Sequence, residues 1–316
     1  MGQPSTRLDP WKKPTRGTMG TAIFAAVAYA DVFDHPLTAD EIHRYLVGRG
    51  ASVRHVRLAL NDGSQPEHIV RSGRYFTLPG REEVVEIRRR REGIAARLWP
   101  TAVRWGTAIA RLPLVRMVAV TGALSVDNPG PRDDVDFLVV TAVDRVWICR
   151  AMIIQLVVKP AARRGTRVCP NYVLSARALT EFNRNLYTAH EIVQMVPLAG
   201  GRTYRELLRS NRWVASFLPN AYGRPRRVGQ GTAASTRRLV RDVSETALRS
   251  GVGGRLEQWE MKRKIRRFGQ QNGESSEASF CPDWCKGHFE GHGELVRHAF
   301  FQRLESLIAT QPVGAA

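Results

Sequence analysis

Residues Val115 to Thr141 read VRMVAVTGALSVDNPGPRDDVDFLVVT. The first seven carry the β-branched weight of a strand, which stops at Gly122. A loop of Pro, Gly and Asp follows, Asp127 to Asp133, and then a second strand, Asp134 to Thr141. Alternation along that strand puts Asp134 and Asp136 on one face and sends Val135, Phe137 and Val139 into the core on the other. Asp133 faces away from the pair and reads as loop or surface. Two carboxylates that close repel each other unless positive charge lies between them. Their oxygens suit magnesium, and a pair of divalent ions is the expected answer. Such a site activates an attacking hydroxyl and holds a triphosphate for in-line displacement. Gly122, with no Cβ, lets the backbone approach phosphate oxygens.

A strand ending in glycine, a spacer of about ten residues and Asp-x-Asp within a second strand resemble the DNA polymerase beta-like nucleotidyltransferases. The motif covers Val115 to Thr141, and the likeness in fold extends to Ser175. The resemblance implies Gly122 as the motif glycine, with Ala123 beside it, and Asp134 and Asp136 as the catalytic aspartates that bind Mg2+. It also implies a nucleoside triphosphate as substrate and an acceptor belonging to a nucleic acid, a protein or a small molecule. Two departures stand out. Ala123 occupies a position where the family has Gly or Ser, which leaves Ser125 as the hydroxyl to touch phosphate. The third carboxylate of the family is missing from the next strand, Val168 to Ser175, reached through a crossover helix from Arg145 to Ala162. Asn171 lies nearest its slot, and Glu181 or Glu191 could reach in from the following helices. Lys159, Arg163 and Arg164 sit at the end of the crossover helix, where cations suit the dipole.

Upstream, the periodicity predicts a helix from Thr18 to Phe33, then Thr38 and Glu41 as a capping box opening a second helix to Val47. Ser52 caps a third, to Leu60, and two short extended pieces follow, His68 to Arg71 and Tyr75 to Leu78. Three short helices and a hairpin resemble a winged helix-turn-helix over residues 18–80. If it reads DNA, the contacts are Arg54, His55 and Arg57 on the third helix, with Arg71 and Arg74 on the wing. Such modules also dock proteins. The segment Thr21 to Ala30 has the apolar look of a secretory signal, but its pattern runs on through Val32 and Phe33 as a folded helix would. The run Val146 to Val158 contains Arg150 and Gln155 and falls short of a bilayer span, so no membrane association is expected. Glu82 to Leu112 reads as one long or Pro100-broken connecting helix, with Arg88 to Arg91 as a solvated face.

The C-terminal third is helical in pattern: Leu179 to Val196, Thr203 to Phe217, Ala233 to Arg249, Leu256 to Gln271 and Gly293 to Ile308. Residues 201–272 hold 17 basic and five acidic side chains, a large part of the whole chain's formal +19. An excess so one-sided favours a polyanionic partner such as RNA or DNA. Cys281, Cys285, His288 and His292 are zinc-ligand types. Four ligands within twelve consecutive residues are geometrically awkward, however, and a loop without zinc is expected there. With four cysteines in 316 residues there is no disulfide scaffold, which fits a reducing cytoplasm.

The reading is therefore an α+β protein: an arm to residue 17, a winged helix domain over 18–80, connecting helices over 81–112, a small mixed-sheet nucleotidyltransferase core over 113–176, a helical C-terminal region over 177–310 and a tail. A rival reading is a nucleic-acid-binding regulator whose transferase fold has lost its chemistry, and a third is a partner-docking scaffold.

Overall fold

A computed structural model of the chain describes residues 17–61, 68–181, 183–226, 245, 246, 248, 251–271, 279–286 and 292–309. The protein is mixed α+β, with a three-stranded and a six-stranded sheet. The N-terminal part runs α1 (Met19–Asp31), β1 (Leu37–Thr38), α2 (Ala39–Arg44), α3 (Val53–Asn61), β2 (Val70–Ser72) and β3 (Tyr75–Thr77), with strand order β1-β3-β2. The capping box is formed: Glu41 N donates to Thr38 Oγ1 at 3.3 Å and Thr38 N donates to Glu41 Oε2 at 2.9 Å. Helix α1 is apolar all round, and every residue from Ala22 to Asp31 is buried, the behaviour of a helix enclosed by protein on all sides. Its one buried acid, Asp31, is met by Arg81 at 3.1 Å and Arg303 at 2.7 Å.

Helix α4 (Val84–Ala110) is a single helix with Pro100 inside it. It leads to β4 (Val115–Val120), the short α5 (Gly122–Ser125) and β5 (Val135–Thr141). The crossover is α6 (Val146–Ile153), a π-turn over Ile154–Val158 and α7 (Lys159–Ala162). Pro160 has no N–H to give to the ladder, which suits the wider turn just before it. Then come β6 (Val168–Ser175), α8 (Leu186–Gln194), β7 (Val196–Ala199), α9 (Gly201–Ser210), α10 (Val214–Phe217), α11 (Gly251–Gln271), β8 (Ser279–Cys281), β9 (Trp284–Lys286) and α12 (His292–Ala309). The large sheet has the order β7-β4-β5-β6-β9-β8; only β5 and β6 are parallel neighbours, as a helical crossover requires.

Alternation divides the sheet cleanly. Val118, Val120, Phe137, Val139 and Val173 face Trp105, Ile109 and Trp147 from α4 and α6. Met117, Ala119, Leu138, Val140 and Leu174 face the other way, into one core with α1, α8 and α9. The N-terminal helices thus share a core with the sheet.

Three expectations about the C-terminal region are corrected. Helix α8 starts only at Leu186, because Asn185 caps it through Thr188 N (2.9 Å), while Asn211 fixes the preceding stretch through Leu179 O and Glu181 N. Val196-Pro-Leu-Ala199 then leaves the helix for the sheet edge, where a proline is tolerated. The stretch expected as a loop before the last helix is the β8–β9 hairpin, turned at Pro282-Asp283 and paired to β6. Its Phe280 and Cys285 pack on the α4–α6 side. The region that reads as helical therefore lends three strands to the core sheet. The helix expected over Ala233 to Arg249 falls largely outside the described residues.

In the Arg88 to Arg91 run, Arg89 and Arg90 are exposed as expected, and Arg88 and Arg91 are corrected. Arg88 is 3% exposed and forks onto Glu41 at 2.7 and 2.8 Å, with Nε on Glu92 at 2.9 Å and a further bond to Pro36 O. Burial opposes ionisation of Glu41, but the hydrogen bonds and charge of Arg88 prevail and hold its carboxyl down at about 2. Arg91 reaches Phe33 O and Asn128 Oδ1, at 2.8 and 3.2 Å. Arg88→Ala strands a buried carboxylate and is expected to cost about 3–5 kcal/mol in denaturant unfolding. A loss under about 1 kcal/mol, the size of a surface pair, would mean that this fork does not join α4 to α2.

Candidate active site

Because β4 and β5 are antiparallel, the exit of one lies beside the entrance of the other. Thr121 N donates to Asp136 O at 3.0 Å, and the chain turns at once through Gly122 with φ +64°. A Cβ at Gly122 would sit 2.6 Å from Asp136 Oδ2. The glycine is thus required twice, by its left-handed backbone and by the carboxylate resting on it. The loop beyond is tied down by Asn128 N to Ala123 O (2.9 Å), Gly130 N to Asp133 Oδ2 (2.8 Å) and Trp99 Nε1 to Asp127 Oδ1 (2.7 Å).

Asp134, just ahead of β5, and Asp136 within it both open onto one cavity of about 690 Å³. Alternation sends Asp136 to the same face of the sheet as Leu138, the face on which α1 and α8 pack. Burial first, then the charge of Asp134 and that of Glu191, push the Asp136 carboxyl up to about 7. Burial also raises Glu191, on α8. Arg167 Nε lies 2.7 Å from Asp134 Oδ1, out of hydrogen-bond alignment. Asp133, expected to face away, lines the cavity too. Among the described residues no three His, Cys, Asp or Glu side chains are close enough to hold a metal by themselves. Two carboxylates with water and substrate phosphate are, however, an ordinary way to bind magnesium.

Of the other expected residues, Gly122, Ala123 and Asn171 line the cavity and Glu191 joins them. Ser125 does not: it is 1% exposed and its Oγ donates to Gly122 O at 2.7 Å, bracing the glycine from behind. The residues expected to contact nucleic acid are partly engaged within the protein. Arg57 pairs with Asp40 at 2.7 Å, Arg74 donates to Tyr75 Oη at 2.6 Å and Arg71 to Asn61 Oδ1 at 3.3 Å, while Arg54 and His55 are exposed on α3. Cys281 pairs with Trp284 across the hairpin and Cys285 with Phe280, so the two thiols point to opposite faces and cannot share one ion. His288 lies outside the described residues, and His292 is on the cavity wall. No described helix is long and apolar enough to cross a membrane.

What local reading misses is the far wall. Tyr29, Phe33, His35 and Tyr45 come from the N-terminal part, and Tyr187 and His190 from α8. The rings of Tyr29 and His190 stack at 3.7 Å and 9°. Arg167 lies against Asp134, and Arg132 lines the same cavity. Only their closeness in sequence to Asp134 and to β6 could have hinted at them.

Gly122→Ala is expected to destabilise by about 1–3 kcal/mol. Gly165, with φ +72° and nothing within 4 Å of an added Cβ, is the control for backbone conformation alone. If both alanines cost the same, Asp136 does not rest on the glycine.

Burial pushes the His190 imidazole down to about 4, against a weaker upward pull from the bond between Nδ1 and Leu186 O. The unfolded chain titrates near 6.5, so this group's stabilisation is complete above about 6.5 and is lost as the pH falls towards 4, on the order of 3 kcal/mol. Stability of wild type minus His190→Gln, taken at each pH, should fall through that window. A flat difference would contradict a neutral buried ring. Asp136 acts in the opposite sense, but is common to both proteins and drops out.

Comparison of the chain with family models, with curated proteins and with solved structures returns no match.

Proposed function

We propose that the protein is a nucleotidyltransferase, moving a nucleoside monophosphate from a nucleoside triphosphate to an acceptor hydroxyl with release of pyrophosphate. The observation that carries this reading is the contact of Gly122 with Asp136, with Asp134 two residues earlier on the same cavity. It supports the resemblance in more than spacing, since the glycine and the aspartates meet in space.

Gly122 and Ala123 leave room for phosphate oxygens against the backbone. Arg167 supplies positive charge against Asp134, and Arg132 adds to it on the same cavity lining. Asp134 and Asp136 are the residues that would hold Mg2+, and their crowding, with Arg167 against Asp134, fits a hard divalent cation. Magnesium, when bound, neutralises triphosphate charge and activates the acceptor hydroxyl. Asn171 and Glu191 stand on the same wall, where the family's third carboxylate is expected. The order α1-β1-α2-α3-β2-β3, with sheet order β1-β3-β2, supports a winged helix ahead of the transferase core.

The regulator reading keeps one observation in its favour. Arg54 and His55 on α3, and Lys262 and Arg266 on α11, are exposed. It predicts salt-sensitive nucleic-acid binding that is indifferent to Asp136.

The deciding experiment is calorimetric titration of ATP, GTP, CTP and UTP, with and without magnesium. Wild type is expected to bind at least one of them in a magnesium-dependent way, and Asp136→Asn to weaken that binding by about tenfold or more, 1.4 kcal/mol. No magnesium-dependent binding of any of the four would sink the transferase reading.

A further inference from the structure

The cavity has two unlike ends. One holds the carboxylates and arginines. The other is walled by residues 26–45, where Tyr29 and Phe33 present aromatic surface. At that second end two polar atoms are stranded. His35 Nδ1 and Tyr45 Oη are buried without an aligned hydrogen bond, their residues 7% and 5% exposed, and both residues line the cavity. Their nearest polar neighbours give them no well-aligned bond. Asn128, beside His35, donates its Nδ2 to Phe33 O and accepts from Arg91, and Arg44, beside Tyr45, donates Nη2 to Val193 O and keeps its own Nε without an aligned acceptor. Buried polar atoms without partners are rare, because each loses its water for nothing. Two of them on one cavity wall mark a place where a ligand supplies the partners.

We propose that this end binds a planar heteroaromatic ring, a nucleobase or a ring of the same kind, whose edge is read by His35 and Tyr45. Aromatic surface beside a few convergent polar atoms is what such a ring needs. The volume, about 690 Å³, suits small molecules, so the ring is part of a small substrate. The N-terminal part is then a wall of the substrate site, whatever α3 does on its outer surface. The inference rests on the transferase reading only for its view of the opposite end as the phosphate end.

The two ends can be tested separately. Adenosine, guanosine, cytidine and uridine probe the ring end without magnesium, and magnesium tripolyphosphate probes the other. Wild type is expected to bind at least one nucleoside. Tyr45→Phe and His35→Ala are each expected to weaken it about tenfold or more, with tripolyphosphate binding unchanged. Tyr45→Phe should leave the melting temperature nearly unchanged, since the deleted hydroxyl has no well-aligned hydrogen bond, which separates a lost contact from a damaged fold. If the matching triphosphate competes with the nucleoside, the ring belongs to the nucleotide. If the nucleoside still binds at saturating triphosphate, the ring belongs to a separate acceptor. Either result supports the proposal. Absence of nucleoside binding, or binding equal in wild type and both variants, overturns it. Loss of tripolyphosphate binding alone would sink the transferase reading and leave the ring site standing.

Discussion

Gly122 and Asp136 meet where one strand leaves the sheet and its neighbour enters it, and much of the molecule is arranged around that contact. A residue with a Cβ at 122 would meet the carboxylate, and a carboxylate elsewhere would leave the glycine nothing to pack on. The backbone bond from Thr121 N to Asp136 O sets the distance between the strands. Ser125 braces the turn from below and Asn128 closes the loop above it. Sheet alternation then decides which way Asp136 points, and it points towards α1 and α8.

Positive charge has two uses in this chain. Part of the +19 surplus is exposed, but several arginines join segments far apart in sequence. Arg226 binds Asp127 at 2.8 Å, in the loop between α5 and β5, and lies 3.6 Å from Glu41 in α2. Arg303 of α12 reaches Asp31 of α1. The scarce acids of the C-terminal region are similarly engaged. Glu257 accepts from Trp147 N and Ile148 N at 2.8 Å each and so caps α6, whose own N-cap residue offers no side chain. Glu245 accepts from Leu114 N and pairs with Arg116 at 3.0 Å.

The parts legible in the sequence are those whose signal is local. The Thr38–Glu41 box, the alternation of Val135, Phe137 and Val139, and the crossover between β5 and β6 all stand as read. So does the meeting of Gly122, Asp134 and Asp136 on one cavity, because fourteen residues of chain bring them together. Arg88 looks solvated among its neighbours, and only the fold places Glu41 against it. Strand β7 hides behind a helix and contains a proline, and β8 and β9 are too short for their alternation to outweigh the Cys and His composition. The aromatic wall is assembled from residues 91 to 107 positions before Asp136 and 51 to 54 positions after it, and nothing local announces such a meeting.

Helix α1 is both core and cavity wall. Its residues pack into the same cluster as Met117 and Leu138, while Ala26, Tyr29 and Ala30 also line the cavity that Asp136 opens onto. A molecule seated there touches two segments of chain at once, and works as a removable cross-link between them. Its affinity is then also a measure of how firmly the N-terminal helices are held: occupancy raises the free energy needed to peel them away by RT ln(1 + [L]/Kd). By the same reciprocity, any partner that grips the outer surface of α3 and tugs on those helices changes the affinity of the cavity by an equal amount.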